Sequence, residues 1–218
     1  MGAITELESG QLLLARGIPV VQTLFASTVE DACVVAERLG YPVVLKVVSP
    51  QVLHKTDAGG VKVGIPDDSG LRKAWREIEE AVISRVPHAE IQGMLVQRMA
   101  GKGVEVILGG VRDPFFGPVI MFGLGGIFAE VFNDVAFRLA PISVAEAERM
   151  MRETRGYRVL TGARNRPPCD VRALALTLSR VSELMWEDER IVELDINPVV
   201  VYEEGRGCEA LDALVVMK

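Results

Sequence analysis

The sequence predicts a mixed fold of the α+β or α/β class. Helical and strand periodicities alternate along all 218 residues, and the longest apolar runs, such as residues 42–45 and 199–201, are strand-sized. With 49% hydrophobic and 25% charged residues, the chain fits one globular unit of two lobes or at most two small domains. No internal repeat or low-complexity segment interrupts it.

Ser27 followed by Glu30 reads as a capping box, and Val29, Cys33, Ala36 and Leu39 then share one helical face before Gly40 stops it. Residues 43–48 are too β-branched for a helix and predict a strand in which Lys46 is the odd residue. A polar turn segment ends in Gly59 and Gly60, residues 61–65 form another strand, and a helix from about Ser69 carries Leu71, Trp75, Ile78, Val82 and Val86 on one side. Strands at 91–97 and 103–111 follow, joined by a short glycine-flanked turn at 100–102. Residues 118–122 form a strand running into Gly123, Leu124, Gly125 and Gly126, and the segment to Pro141 is mixed. Ser143 with Glu146 predicts a second capping box, and Pro167, Pro168 and Asp170 introduce the longest helix, about 171–186. Strands at 191–202 and 208–216 close the chain around a turn at 203–207.

Thirty acidic against 24 basic residues give a formal net charge of −6 with the basic residues scattered, so the sequence carries no footprint for nucleic acid. No run approaches the roughly 18 apolar residues of a membrane span. The first six residues have neither a basic flank nor an apolar signal core, which predicts a cytoplasmic protein. Cys33, Cys169 and Cys208 are isolated, odd in number and never paired as C-x-x-C, which argues against a disulfide framework and a zinc site.

Three segments carry candidate chemistry. An ammonium inside an apolar strand must meet an anion or reach water, so Lys46 is either a ligand for phosphate or a solvent-facing edge residue. Within fifteen residues come His54, Lys55, Asp57 and the Gly59-Gly60 pair, and glycines let backbone N–H groups approach phosphate oxygens. His54 is a candidate phosphoryl nucleophile, with Asp57 or a distant carboxylate orienting its ring, or else an ordinary surface histidine. Neither G-x-x-x-x-G-K-[ST] nor G-x-G-x-x-G is present, since position 128 is Phe128. The second segment is the C-terminal hairpin. Its turn lies midway between Asn197 and Asp212, so an antiparallel return places these two oxygen ligands side by side, suited to Mg²⁺, with Asp195 pointing the same way as Asn197. The alternative is a polar strand end with Asn197-Pro198 as a simple break. In the third, residues 95–105, backbone groups suit a purine edge and Glu105 suits ribose hydroxyls, though a hairpin with one exposed glutamate reads the same. Arg138 in an apolar stretch wants an anion, from a ligand or from a protein carboxylate.

Taken together, the segments 40–46, 54–61, 116–127, 137–141, 166–168 and 193–198 resemble the ATP-grasp β subunit of ADP-forming acetyl-CoA synthetase over nearly the whole chain. The β subunit of succinyl-CoA synthetase is a more distant relative of that family. The resemblance implies an ATP-grasp fold over residues 1–218, with lobes of about 20–95 and 96–218 clamping a nucleotide and residues 1–19 packing nearby. It implies that Lys46 contacts phosphates, that Gln97 and Met99 line the adenine, that Glu105 holds the ribose and that Asn197 with Asp212 binds Mg²⁺, with Gly59, Gly60 and Arg138 as further candidate nucleotide-binding residues. His54 falls on the family's phosphoryl-carrying histidine, and Asp195 on an acid near where that phosphoryl arrives. The implied reaction interconverts acyl-CoA, ADP and phosphate with free acid, ATP and CoA. A CoA-binding α subunit is the implied partner, in an α2β2 heterotetramer. Arg98 stands where the family commonly has glutamate beside the adenine hinge, and Asn165 and Cys169 replace small residues. Two rival readings are a regulatory or docking module that binds without turnover and a different ATP-grasp ligase that activates a carboxylate directly. Intact His54, Asn197 and Asp212 favour the enzyme over the first, and a carrier histidine argues against the second.

Overall fold

The computed structural model describes residues 2–52, 54–125, 134–162 and 167–218. Gly126, Ile127, Phe128, Asn165 and Arg166, singled out in the sequence, lie outside the described residues. The chain divides into two compact units, Val21–Ala100 and Met1–Val20 with Gly101–Lys218.

The chain runs through β1 (Gly2–Ala3), α1 (Glu6–Ala15), β2 (Thr23–Ala26), α2 (Val29–Leu39), β3 (Val43–Val48), β4 (Val61–Ile65), α3 (Asp68–Arg85) and β5 (Gly93–Arg98). It continues through β6 (Val104–Asp113), β7 (Gly117–Leu124), β8 (Val135–Leu139), α4 (Val144–Arg152), α5 (Tyr157–Leu160), α6 (Val171–Glu187), β9 (Ile191–Val201), β10 (Cys208–Ala210) and β11 (Ala213–Met217).

In the Val21–Ala100 unit an antiparallel sheet of order β2-β5-β3-β4 packs on α2 and α3. Leu45 and Val47 from β3 and Met94 and Val96 from β5 enter the same core as Ala32, Ala36, Leu71, Ile78 and Val82. Because strand side chains alternate, Val44, Lys46, Leu95 and Gln97 fall on the other face. β3 is a central strand and Lys46 is only 7% exposed, which removes the edge-residue alternative. The cap of α2 is Thr28, whose hydroxyl accepts from the Asp31 N–H at 3.1 Å; Ser27, expected there, instead donates to the Asp31 carboxylate at 3.0 Å. α3 starts at an Asp67 cap, and its 18 residues make it one longer than α6, which the sequence predicts to be the longest.

The larger unit is built on an antiparallel sheet of order β1-β11-β9-β6-β7-β8, with β10 also paired to β9. Leu174, Leu178, Val181, Leu184 and Met185 of α6 share a core with Leu108, Ile120, Phe122, Leu194 and Ile196. Arg112 ties the end of α6 to the sheet, donating to the carbonyls of Met185, Asp188 (3.1 Å) and Ile191 (3.0 Å). Two differences from expectation concern pairing. The strands either side of residues 100–102 do not form a hairpin, since β5 and β6 belong to different sheets; the lobe boundary expected at 95/96 falls inside β5, and the division comes after Ala100. The last strand is broken at Leu211 and Asp212 into β10 and β11. Helix α1, absent from the expectation, carries a full capping box of Thr5 and Glu8, a sequence signal that was there to be read. Among the described residues no helix is long and apolar enough to cross a membrane.

Candidate functional site

Lys46 and Gln97 share the face of the smaller sheet opposite α2 and α3, Lys46 opposite Leu95 and Gln97 opposite Val44 in one register. Gln97, 4% exposed, donates to the Thr23 hydroxyl at 3.1 Å. Met99, just beyond β5, is exposed, and its N–H donates to the Pro42 carbonyl at 3.3 Å.

The loop after β3 brings His54 and Asp57 to a shallow pocket of about 410 Å³, lined also by Gln51, Val52, Ala58, Arg85 and Val86. The glycine pair shapes this loop in a way that corrects the expected phosphate cradle. The Gly59 N–H donates to the Thr56 carbonyl at 3.0 Å and the Gly60 N–H to the Lys55 carbonyl at 2.7 Å, so neither N–H is presented to a ligand. Glycine is needed for other reasons. Gly59 has φ +72°, and a Cβ on Gly60 would lie 2.4 Å from Val47 Cγ1. Arg85 is the residue that sequence reasoning missed. A Cβ on Gly59 would lie 2.7 Å from its Nη1, and that nitrogen donates to the Ala58 and Ala81 carbonyls at 3.4 Å. The only hint in the sequence was a basic residue in the last turn of the predicted helix.

In the larger unit, Glu193, Asp195 and Asn197 alternate with Leu194 and Ile196, which are buried at 1% and 0% exposure, so the three polar residues share the outward face of β9. Asn197 lies opposite Asp212, its N–H donating to the Asp212 carbonyl at 3.2 Å, while Leu214 lies opposite Asp195. Burial, then the nearby charges of Asp212 and Glu193, push the Asp195 carboxyl above the usual carboxylate range. Such a concentration of oxygen donors and negative charge fits a divalent cation. Among the described residues no three His, Cys, Asp or Glu side chains form a closed metal cage. A pair of oxygen ligands is instead the sparse protein share that Mg²⁺ takes when water and phosphates complete its shell. Glu105, exposed on β6, lies opposite Val200 of β9.

Arg138 already has its anions. Its guanidinium donates to Glu146 at 2.7 Å and to Glu153, and both contacts hold its charged form. Glu146, expected to complete a capping box with Ser143, spends its carboxylate on Arg138 and Arg149, while its N–H donates to the Ser143 hydroxyl at 3.2 Å. A phosphate at Arg138 would have to displace one of these carboxylates.

The ATP-grasp domain model matches residues 2–217. The ADP-forming acetate–CoA ligase I β subunit of Pyrococcus furiosus is 44% identical over 214 residues, covering 98% of this chain and 91% of that one. The ADP-forming acetate–CoA ligase I of Archaeoglobus fulgidus is 48% identical over 204 residues, covering 94% of this chain and 30% of that protein's length. Among solved structures, the Candidatus Korarchaeum cryptofilum acetyl-coenzyme A synthetase 1 in complex with coenzyme A, Ca-AMPCP and HgCl⁺ superposes with a TM-score of 0.95 at 46% identity, covering 99% of this chain and 93% of that one. The chain therefore belongs to the ATP-grasp family, within the group of ADP-forming acetate–CoA ligase β subunits.

Proposed function

We propose that this chain is the nucleotide-binding β subunit of an ADP-forming acyl-CoA ligase, which passes a phosphoryl group through His54 to ADP while a partner handles the acyl and CoA chemistry. The observation that carries this reading is the near end-to-end match to a β subunit, in a chain that keeps His54, Asn197 and Asp212. Lys46 neutralises phosphate charge, and its burial supports this because an ammonium on a central strand gains most from an anion. Gln97 and Met99 supply the contacts to the base, and Glu105 accepts from the ribose hydroxyls. Asn197 and Asp212 hold Mg²⁺, whose chemistry when bound is to screen the phosphates and orient them. Asp195, on the same face of β9 as Asn197, is the acid nearest that pair and faces the arriving phosphoryl group. Gly59 and Gly60 act by shaping the His54 loop. Arg138 contacts phosphate only by exchanging a carboxylate partner.

The partner is a CoA-binding α subunit, assembled as α2β2 in the cytoplasm. The test is reconstitution. The purified chain with acetate, ATP and CoA should show no turnover, and addition of the CoA-binding partner should give acyl-CoA, ADP and phosphate. Full turnover from this polypeptide alone would refute the division of labour.

A further inference from the structure

The His54 loop leaves a charge unaccounted for. A phosphoryl group on an imidazole carries about two negative charges near neutral pH, yet the N–H groups of Gly59 and Gly60 are both bound to carbonyls of their own loop. The cation in the His54 pocket is Arg85. Its approach is built into the backbone, because the missing Cβ of Gly59 is what leaves room for Nη1. The guanidinium reaches the loop through Ala58 at 3.4 Å, a long contact that uses one nitrogen, and among the described residues no carboxylate pairs with it. The carboxylate lining the pocket is Asp57.

We propose that Arg85 is the phosphoryl-binding residue of the His54 pocket, gripping the oxygens of the group that His54 carries, and that Asp57 accepts from the imidazole N–H on the opposite ring nitrogen. This rests on the reading of His54 as the carrier. In the transfer from ATP, the lone pair of one ring nitrogen attacks the γ-phosphorus. The bond from that phosphorus to the bridging oxygen breaks with its electron pair left on ADP, and the cationic ring keeps its remaining N–H on Asp57. In the reverse step an ADP oxygen takes the phosphoryl and the nitrogen regains its lone pair. Arg85 makes no bond. Its fork matches phosphoryl oxygens bidentately, which an ammonium does not.

Phosphoramidate phosphorylates histidine without nucleotide or partner, releasing ammonia as the P–N bond breaks, and so reads the pocket alone. The full chain is incubated with phosphoramidate, and acid-labile, base-stable phosphate is counted for wild type, His54→Ala, Arg85→Gln and Arg85→Lys, with inorganic phosphate as competitor. His54→Ala should lose the label that peptide mapping places at residue 54 and keep only what the exposed His88 takes up. Arg85→Gln should label at least about tenfold more slowly, the size of a lost charge-assisted contact, and Arg85→Lys should fall between. Inorganic phosphate should slow wild type and lose that effect in Arg85→Gln. A residue that merely tethers the loop would alter the labelling rate and leave the phosphate inhibition constant unchanged in both variants, which overturns the proposal. So does wild-type labelling of Arg85→Gln with the residue-54 label lost in His54→Ala, an outcome that leaves His54 as carrier. Labelling of His54→Ala at the wild-type rate overturns the carrier reading itself. Should Arg85→Gln fail to fold, unchanged phosphate inhibition in Arg85→Lys suffices to reject the proposal.

Discussion

Asn197 and Asp212 face each other across the C-terminal hairpin, joined by the Asn197 N–H to the Asp212 carbonyl at 3.2 Å. The same register runs from Val201 opposite Cys208 to Leu194 opposite Val215, and the break between β10 and β11 does not shift it, because the Leu211 N–H holds the Pro198 carbonyl at 2.9 Å. Directly opposed residues in an antiparallel pair point to one face. Two oxygen-bearing side chains fifteen positions apart in the sequence are thereby held side by side.

The first prediction follows from that pair. Asn197→Ala and Asp212→Ala should each weaken ADP binding in Mg²⁺ by at least about tenfold, since even the residues behind metal ligands cost 10–100-fold when removed. In chelator both variants should bind like wild type. Calorimetric titration with and without Mg²⁺ decides it, and an undiminished Mg²⁺ dependence in the double variant would remove the metal assignment.

Asp195 gives a pH signature. Its carboxyl is raised by burial first and by Asp212 and Glu193 next, so the folded chain binds that proton more tightly than the unfolded one. Stability contributed by the protonated form is then present at low pH and lost as pH rises from the ordinary aspartate value of 3.8 through the folded one. Asp195→Asn should be more stable than wild type at neutral pH, with the gap closing as pH falls toward that value. Asp212→Asn should bring the Asp195 titration down. Urea melts across pH test the first and NMR titration the second; a gap independent of pH contradicts the assignment.

Lys46→Met keeps the aliphatic stem on a central strand and removes the charge. Affinity for ATP should fall roughly 10- to 100-fold, as expected for a charge-assisted contact of about 1.5–3 kcal/mol. The fold should survive, because methionine fills similar volume. Equal ATP affinity in a folded variant would leave Lys46 a structural residue.

The reach of the sequence differed between these features for physical reasons. The opposition of Asn197 and Asp212 was legible because a short turn fixes antiparallel register by counting alone. Lys46 was half legible: alternation identified the misfit but not that β3 is flanked by β5 and β4, which only pairing reveals. The separation of β5 from β6 was hidden, since a glycine-flanked turn between two strands looks the same whether or not they pair. Hydrogen-bond accounting in the His54 loop was beyond reach as well. Glycine at 59 and 60 signals a special backbone, yet whether the N–H groups face a ligand or close the turn depends on Thr56 and Lys55, whose carbonyls were free to go either way. Arg85 escaped notice because its partner, Gly59, lies far off in sequence.

Passage of the phosphoryl group through His54 is open to direct test. The most direct measurement is to trap the full enzyme during turnover with ATP and Mg²⁺, digest it under alkaline conditions that preserve phosphohistidine, and locate the phosphate by tandem mass spectrometry. Phosphate is expected on His54 of this chain and at no corresponding position in His54→Asn, with no overall turnover in that variant although it still binds ADP. Sustained turnover by His54→Asn, or a chain that never carries phosphate at His54, would contradict it.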